Sequence, residues 1–391
     1  MRKFYFGLDL GHYEWKITIL EENSNGDFIA FNQVVKNETI IKGEIIDENA
    51  FVSQLENIFS NLSESLDNYP IREVAVAVSF PQFQTHFAKG YTFPQGNIDE
   101  DDIGKAIRMA KTSIALSNQE ILLEFPNKFI LDNEQIIRDP KGMSAKRLDV
   151  EAIFISVFKP IVEKIRQAFK ELRINVIGIY PSVFFESQIA LSKREKEIGT
   201  ILLDFGGSTT SLAVFQGGTL QDFKMFKFGC QNLIEDLALH LKISPEEAEE
   251  IKNQIFPLNP EGQKSEDRKK IKKGKSSLNR AAAQRFLEKK FKEYVDDEGL
   301  LDYIKELKKR RKIMGVVLVG GGAIIKPSLE WFKALLSMPT RIAKSELKVL
   351  EEKEENLKFF ASVAAAHTAF KSGGDIGFFQ KLKGIFKSFS G

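Results

Sequence analysis

The chain has 391 residues, of which 43% are hydrophobic and 28% charged, and its formal net charge is +2. This composition is typical of a globular protein with about two or three domains, and the balanced charge excludes a bulk attraction to nucleic acid. One cysteine excludes an intramolecular disulfide framework and fits a reducing cytoplasm. We expect no secretion signal because Asp9 interrupts the first apolar stretch, and no membrane span because no apolar run reaches about 18 residues.

The first predicted element is a hairpin in FYFGLDLGHYEWKITIL, residues 4–20. A β-run is followed by Asp9 and Gly11 in a turn, and a second β-run begins at Lys16. In such a turn glycine lets backbone amides approach phosphate, aspartate can hold a hydrated Mg²⁺, and lysine can add a point charge. Taken alone, a glycine-containing turn between strands is more often purely structural.

The segment 99–157 predicts a small α/β module. NIDEDDIGKAIRMAKTSI is an amphipathic helix with Asn97 or Asp99 as its N-cap. EILLEFPNKFIL and LDVEAIFISVF are β-runs, and residues 139–142 form a turn between them. The module carries no catalytic constellation, so we expect it to contact another protein. A helix over 159–174 follows it.

The segment TILLDFGGSTTSLAVFQGG, residues 200–218, repeats the plan of the first hairpin. Its turn contains Asp204, Gly206, Gly207, Ser208, Thr209 and Thr210, whose hydroxyls could add donors to a phosphate. Asp9 and Asp204 stand 195 residues apart, about half the chain. This internal repeat predicts two similar lobes that face one cleft.

Two helices separated near Ser244 and Pro245 are predicted in residues 232–255, with Ser244 as an N-cap and Glu247 completing a capping box. Residues 260–280 are polar and basic without apolar periodicity, which predicts a mobile loop. Because this run has no interleaved aromatic residue, we expect no nucleic-acid partner.

A third glycine-rich element, GVVLVGGGAIIKP at 315–327, predicts a buried strand that ends in Gly320, Gly321 and Gly322 and is followed by a helix. The glycines would allow close packing against a base and ribose. A bare strand-to-helix turn would use them equally well.

The last predicted element is an amphipathic helix in GFFQKLKGIFKSFSG, residues 377–391. Such a helix either packs on its own domain or lies in a membrane interface, and the flexible pair Gly373 and Gly374 before it favours the membrane. Its apolar side chains fall within an arc of about 120°, and its lysines would attract anionic lipid; these residues are Phe378, Phe379, Leu382, Ile385, Phe386 and Phe389, with Lys381, Lys383 and Lys387.

In order and spacing, the three glycine-containing elements resemble the two phosphate loops and the adenosine loop of the actin-like ATPases. The stretch EILLEFPNKFILDNEQIIRDPKGMSAKRLDVEAIFI, with its Asp139-Pro140-x-Gly142-Met143 turn, and GTILLDFGGSTTSLAVFQGGTL resemble the FtsA family of bacterial cell-division proteins. This resemblance implies an α/β, two-lobed actin-like ATPase fold with an FtsA-type inserted α/β subdomain and a C-terminal amphipathic helix.

The resemblance also implies how the chain is divided. The first lobe core takes 1–80 and 160–197, the inserted subdomain 81–159, and the second lobe core 198–235 and 315–370. A nucleotide-covering subdomain takes 236–314, a linker 371–376, and the membrane-targeting helix 377–391.

By the same resemblance, ATP binds between the lobes, and Asp9 and Asp204 organise Mg²⁺ through water. Glu249 and Lys252 are nominated for the ribose and base, with a solvated helix face as the alternative. The residues expected to bind the phosphates are Gly11, Lys16, Gly206, Gly207, Ser208, Thr209 and Thr210. Those expected to cover the adenosine are Gly320, Gly321 and Gly322.

Four positions depart from the family pattern. His12 stands where a Ser or Thr usually follows the glycine, Ser208 where a glycine is usual, Ser211 where an aspartate is usual, and His367 where glycine is common. We therefore expect ATP binding with slow or absent hydrolysis.

The function implied is that of a scaffold at the division site, on the cytoplasmic face of the cell membrane. Its partners would be FtsZ, further copies of itself in a filament, the anionic membrane surface, and other division proteins through the inserted subdomain. Two alternatives stay open: a PilM-like pilus-assembly scaffold, and a small-molecule kinase of the same superfamily, which would need a catalytic aspartate beside a bound hydroxyl.

Overall fold

The computed structural model describes residues 3–23, 26–41, 43–255, 270–273, 276–325, 327–347, 349–350 and 354–372. The helix predicted at 377–391 lies outside the described residues, as does most of the loop predicted at 260–280. Within the described part of the chain, no helix is both long and apolar enough to cross a membrane.

The first lobe begins with five strands, which are followed by an amphipathic helix. Asp47 caps this helix, since its side chain accepts from the Ala50 amide at 2.9 Å. The elements in chain order are β1 (Phe4–Leu10), β2 (Glu14–Glu22), β3 (Phe28–Lys36), β4 (Ile40–Ile41), β5 (Glu44–Ile45), α1 (Glu48–Ser65) and β6 (Glu73–Val78).

The next elements form a separate four-stranded sheet, in the order β7-β10-β8-β9, with one helix on a face. The helix starts at a capping box in which Asp99 and Asp102 bond each other's backbone amides, so Asp99 is the N-cap. The elements are β7 (Gln84–Thr92), α2 (Glu100–Thr112), β8 (Gln119–Leu131), β9 (Gln135–Ile137) and β10 (Leu148–Phe158).

The chain then returns to the first lobe through α3 (Lys159–Glu171), β11 (Asn175–Pro181), α4 (Ser182–Ala190) and α5 (Lys193–Ile198). The helix predicted over 159–174 ends at Glu171, because Arg173 takes a left-handed backbone conformation with φ of 58°.

Most of the remaining elements form the second lobe, whereas the last strand pairs with the first sheet and the last helix packs on it. Ser244 and Glu247 form the predicted capping box, in which each side chain accepts from the other's amide, at 3.2 and 3.1 Å. The elements are β12 (Thr200–Phe205), β13 (Thr210–Gln216), β14 (Thr219–Phe226), α6 (Cys230–Leu241), α7 (Pro245–Ile255), β15 (Lys270–Lys273), β16 (Ser276–Asn279), α8 (Arg280–Asp297), α9 (Leu300–Arg310), β17 (Gly315–Val319), α10 (Pro327–Leu336), β18 (Thr340–Ile342), β19 (Val349–Leu350) and α11 (Phe360–Ser372).

Part of the stretch predicted as a loop is a hairpin. Strands β15 and β16 pair antiparallel between residues 270 and 279, and α8 begins at Arg280. The prediction of a continuous loop over 260–280 is therefore wrong for these residues. Polarity suggested a loop, but a ladder of backbone hydrogen bonds does not require apolar side chains.

The two main sheets share one topology. The first has the order β19-β3-β2-β1-β6-β11 and the second β14-β13-β12-β17-β18. In each, three antiparallel strands are followed by parallel ones, with β6 beside β1 and β17 beside β12. The internal repeat predicted from the two aspartates is therefore confirmed as a repeated sheet, and both aspartates lie at the ends of corresponding central strands.

Helices α4 and α11 form the layer that joins the lobes. Both pack on β1 or β6 of the first sheet, and α4 also packs on β12, β13 and β17 of the second. Gly7 is required in β1 because a Cβ there would lie 2.0 Å from the Ser362 carbonyl oxygen of α11. Helix α4 is buried on all sides, as expected for a helix that lies between two sheets.

Candidate functional site

The first hairpin places a carboxyl group and an ammonium group opposite each other beside its turn. Asp9 and Lys16 are partners in register, and Lys16 Nζ lies 3.8 Å from Asp9 Oδ2. The Ser182 hydroxyl, at the start of α4, donates a 3.0 Å hydrogen bond to Asp9 Oδ1. A Cβ at Gly11 would meet the Glu14 carbonyl oxygen at 2.4 Å, so this tight turn requires glycine.

The second hairpin places a hydroxyl where the first has an ammonium. Asp204 is opposite Ser211, whose Oγ donates to Asp204 Oδ2 at 3.2 Å. The Gly206 amide donates to the Thr209 carbonyl at 3.0 Å, which closes the turn, and the Gly206 carbonyl accepts from the Cys230 amide at 2.9 Å. The turn is thereby fixed against the N-terminus of α6.

The three hydroxyl residues predicted as phosphate donors differ in accessibility. Ser208 is partly exposed at the turn, whereas Thr209 and Thr210 are buried. Thr210 Oγ1 donates to the Phe228 carbonyl at 2.8 Å, so this hydroxyl is engaged by the backbone of its own lobe. The geometry favours Ser208 and the turn amides over Thr210 as phosphate contacts.

The third glycine element lies directly against the end of β12. Gly320 has φ of +90°, and a Cβ there would lie 2.2 Å from Asp204 Oδ1. A Cβ at Gly322 would lie 2.5 Å from Phe205 Cδ1, whereas Gly321 has no neighbour closer than 3.8 Å. Gly320 and Gly322 are thus required for packing within the protein itself, and only Gly321 has space beside it.

The two residues nominated on α7 form an ion pair. Lys252 Nζ bonds Glu249 Oε1, and Lys252 is the more buried partner, with 15% of its side chain exposed against 41% for Glu249. Both charges act on the Cys230 thiol, whose pKa burial raises to about 11. The pair therefore lies beside the second hairpin turn, although Glu249 retains a solvated face.

Sequence reasoning missed a third carboxyl in this cleft. Glu186 on α4 is only 2% exposed, and its Oε2 has no hydrogen-bond partner among the described residues. Its one signal in the sequence is that it is the single acid in the otherwise uncharged stretch SVFFESQIA. Ser182 was missed as well, since a serine at a strand-to-helix junction has many local roles.

Electrostatics couples the three carboxyls. Burial raises the pKa of Asp9, while Lys16 and the Ser182 bond oppose it. Burial, and then the charge of Asp9, raise the pKa of Asp204 to about 7. Burial and the charges of Asp204 and Asp9 raise the pKa of Glu186 well above its ordinary value, and Lys16 again opposes the shift. Lys16 thus opposes the shift of all three carboxyls, and a further cation beside them would favour their ionised forms.

This donor set fits a divalent cation bound together with an anionic ligand. In the described ranges, no three His, Cys, Asp or Glu side chains converge closely enough to coordinate a metal directly. A Mg²⁺ ion held here by Asp9 and Asp204 would therefore take water and phosphate oxygens as most of its ligands.

Tyr13 connects the two hairpin turns across the cleft, which the sequence did not indicate. Its hydroxyl donates to Glu235 Oε1 on α6 at 2.9 Å. A Cβ at Gly207 would lie 3.0 Å from Tyr13 Cδ2, so the ring packs directly on the second turn. The first hairpin therefore contacts the second through Tyr13.

Burial favours the uncharged form of both histidines that depart from the family pattern. Burial lowers the pKa of His12. Burial and the charge of Lys371 lower the pKa of His367 to about 3, and its ring packs against Phe28 and Phe370.

Comparisons with known proteins identify the family. The family model described as "Cell division protein FtsA" matches residues 201–365, and that described as "SHS2 domain inserted in FTSA" matches residues 85–156. Together they cover more than half of the chain.

Two relatives are cell division proteins FtsA. That of Bacillus subtilis is 28% identical over 256 residues, which are 65% of this chain and 58% of the relative. That of Streptococcus pneumoniae is 24% identical over 339 residues, which are 84% of this chain and 72% of the relative. The chain thus spans less than two thirds of the Bacillus protein.

Solved structures share the fold at low identity. The PilM–PilN type IV pilus biogenesis complex has a TM-score of 0.68 and 13% identity, covering 93% of this chain and 98% of that one. MreB5 of Spiroplasma citri bound to ADP has a TM-score of 0.52 and 14% identity, covering 95% and 98%. From the two family models and the shared fold, this chain belongs to the FtsA family of actin-like cell-division proteins.

Proposed function

We propose that this chain binds ATP with Mg²⁺ between its lobes, assembles with further copies of itself, and tethers FtsZ to the cytoplasmic face of the membrane at the division site. The observation that carries the proposal is that Asp9, Lys16 and Asp204 meet at one cleft in a chain of the FtsA family. The solved MreB5 structure with ADP supports a nucleotide in a fold of this class.

Each group in the cleft has a defined task in this proposal. Lys16 supplies a positive charge to the phosphates. The Gly207 amide and the Ser208 hydroxyl donate to phosphate oxygens, whereas the Gly206 amide is already bonded to the Thr209 carbonyl. Glu249 and Lys252 bind the ribose and base. Mg²⁺ supplies the positive charge that allows Asp9 and Asp204 to ionise together.

We propose that ATP acts chiefly as a ligand that favours one arrangement of the lobes, with turnover slow or absent. The support for slow turnover is the set of departures from the family pattern, above all Ser211 where an aspartate is usual and His12 where a hydroxyl residue is usual. A test is equilibrium binding of ATP with and without Mg²⁺, followed by measurement of phosphate release. Retention of ATP with little release supports the proposal, whereas no retention contradicts it.

Membrane tethering is assigned to the segment 377–391. Six large apolar side chains, worth a gross ~1.5–3 kcal/mol each when buried, would enter the interface, and three lysines would add about 1 kcal/mol each near anionic lipid. Co-sedimentation of the full chain with phosphatidylglycerol vesicles tests this. We expect Phe379→Asp with Phe386→Asp to abolish pelleting, while Lys89→Gln with Lys105→Gln, in the inserted subdomain, leaves it unchanged.

A PilM-like scaffold is the second candidate, favoured by the TM-score of 0.68 to the PilM–PilN complex. In that case the inserted subdomain would bind a short peptide of the pilus apparatus, and the phenylalanine substitutions in the tail would leave membrane recruitment intact. Pull-down with a PilN-type peptide and with FtsZ in parallel separates the two candidates.

A further inference from the structure

Helix α4 carries a buried carboxyl that the protein leaves unsatisfied. Its neighbours on the helix are bonded: the Ser182 hydroxyl donates to Asp9 at 3.0 Å, and the Ser187 hydroxyl donates to the Phe184 carbonyl at 2.7 Å. Glu186 is only 2% exposed, and its Oε2 has no hydrogen-bond partner among the described residues. Such a group destabilises the fold unless a ligand or a water molecule supplies the missing hydrogen bond.

The helix directs Glu186 towards the two aspartates of the predicted magnesium site. Side chains four positions apart lie on one face of an α-helix, and Glu186 follows Ser182, which reaches Asp9, by four positions. Helix α4 also packs on β12, whose end carries Asp204. The charges of Asp204 and then Asp9 add to burial in raising the pKa of Glu186. Glu186 therefore lies near both aspartates.

The three carboxyls are nevertheless too far apart to coordinate one ion directly, because no such group of side chains is found in the described ranges. Mg²⁺ in proteins keeps several water ligands. Groups that bond the ligands of a metal from outside its coordination sphere typically contribute about 10- to 100-fold to its affinity. A buried acceptor without a protein partner suits this role.

We propose that Glu186 is a positioning residue for hydrated Mg²⁺, and that its carboxylate accepts hydrogen bonds from water ligands of the ion that enters with ATP. The proposal rests on the proposed function, since it assumes that Mg²⁺ and ATP bind at Asp9 and Asp204. It has two consequences of opposite sign. Glu186 destabilises the protein without its ligands, and it strengthens the binding of ATP with Mg²⁺.

The first test is titration calorimetry of the full chain with ATP at saturating Mg²⁺. Glu186→Met, which has a similar volume, should weaken binding roughly 10- to 100-fold. Glu186→Gln, whose amide oxygen still accepts but carries no charge, should lie between the wild type and Glu186→Met. With a chelator in place of Mg²⁺, neither variant should bind ATP more weakly than the wild type does.

The control removes a buried carboxyl elsewhere in the second lobe. Asp222, on β14, is 3% exposed and accepts from the Tyr303 hydroxyl at 2.7 Å. Unlike Glu186, it has a partner within the protein. Asp222→Asn should leave the affinity for ATP with Mg²⁺ unchanged.

The second test is the melting temperature without nucleotide or metal. Glu186→Met should raise it by about 2–4 °C, because an apolar side chain replaces an unpartnered carboxyl. Addition of Mg²⁺ and ATP should then raise the melting temperature of the wild type more than that of the variant. A residue retained for packing alone would show the opposite change in the unligated protein.

Distinct results overturn the two proposals separately. If the wild type retains no ATP with Mg²⁺, the proposed function fails. If the wild type binds and both Glu186 variants bind equally tightly, the proposed function stands and the role of Glu186 is wrong. If Glu186→Met lowers the melting temperature of the unligated protein and weakens ATP binding equally with Mg²⁺ and with chelator, the carboxyl has a structural role and its assignment to the hydrated ion is overturned.

Discussion

The two hairpins share a backbone plan but differ in the group opposite the aspartate. In the first, Asp9 faces the Lys16 ammonium and also accepts from Ser182. In the second, Asp204 accepts from the Ser211 hydroxyl, and Gly320 lies against its carboxyl oxygen. The repeated sheet is symmetrical, whereas the charge at its two turns is not.

This difference indicates a division of labour between the lobes. The first lobe carries the one ammonium that opposes the raised pKa of all three carboxyls. The second lobe carries Asp204, which is buried and has no ammonium group opposite it in the hairpin. We therefore expect a bound cation to stabilise the ionised form of Asp204 more than that of Asp9. Four experiments test this comparison, and the smallest effect is expected for the last.

Lys16→Met should have the largest effect on nucleotide binding. It removes the positive charge that the first hairpin offers, and a charge-assisted contact of this kind contributes about 2–3 kcal/mol. We expect ATP to bind roughly 30- to 150-fold more weakly, measured by titration calorimetry with Mg²⁺ present. Lys105→Met, on an exposed face of α2, should leave the affinity unchanged, and an equal loss in both variants would contradict the assignment.

Gly320→Ala tests whether the second lobe needs close packing at its aspartate. The added Cβ would meet Asp204 Oδ1 at 2.2 Å in a backbone conformation with φ of +90°, and we expect a loss of about 2–4 kcal/mol of unfolding free energy. Gly299→Ala is the matched control, since Gly299 has φ of +70° but no neighbour within 4 Å. It should cost about 1 kcal/mol, and equal urea midpoints for the two variants would refute the packing argument.

The third experiment concerns pH. The pKa of Asp204 is about 7 in the fold and about 3.9 in an unfolded chain. A carboxyl whose pKa is raised on folding contributes stability that is fully present below the unfolded pKa and is lost as the pH rises through the folded one. Asp204→Asn should therefore make the fall in unfolding free energy between about pH 4 and 7 shallower, by at most about 1.4 kcal/mol per pH unit.

The measurement is urea unfolding across that range without divalent metal. Asp302→Asn is the control, because Lys305 lowers the pKa of that exposed carboxyl, which is the opposite direction. If the unfolding free energy of Asp204→Asn falls with pH as steeply as that of the wild type, the pKa of Asp204 is ordinary in the fold. In the wild type, binding of Mg²⁺ with ATP near pH 7 should release protons, because the cation favours the ionised carboxyl.

The sequence predicted the features that depend on local patterns of residues. The two strand-turn-strand segments, the capping box at Ser244 and the glycine-rich end of β17 are local patterns of spacing and residue type, and the structure confirms them. Of the two predicted N-caps of α2, the structure has Asp99. It did not predict contacts that depend on how the lobes meet. Glu186 approaches Asp9 and Asp204 only because α4 packs between the sheets.

The glycines of the third element show a related limit. The run at 320–322 predicted space for an adenosine. Gly320 and Gly322 are instead needed for packing within the protein, since a side chain there would strike Asp204 or Phe205. A glycine indicates that something approaches closely. Only the fold reveals whether the neighbour is a ligand or the protein itself.

Tyr13→Phe tests the weakest contact between the hairpins. The Tyr13 hydroxyl bonds Glu235 across the cleft at an exposed position, so its removal should cost only about 0.5–1 kcal/mol. If the bond holds the lobes together, Tyr13→Phe with Glu235→Ala loses no more than either single change, because each change alone already removes the bond. Unfolding free energies of the four proteins, with and without ATP, give the coupling. Additive losses would mean that the ring packed on Gly207, rather than the hydrogen bond, connects the two turns.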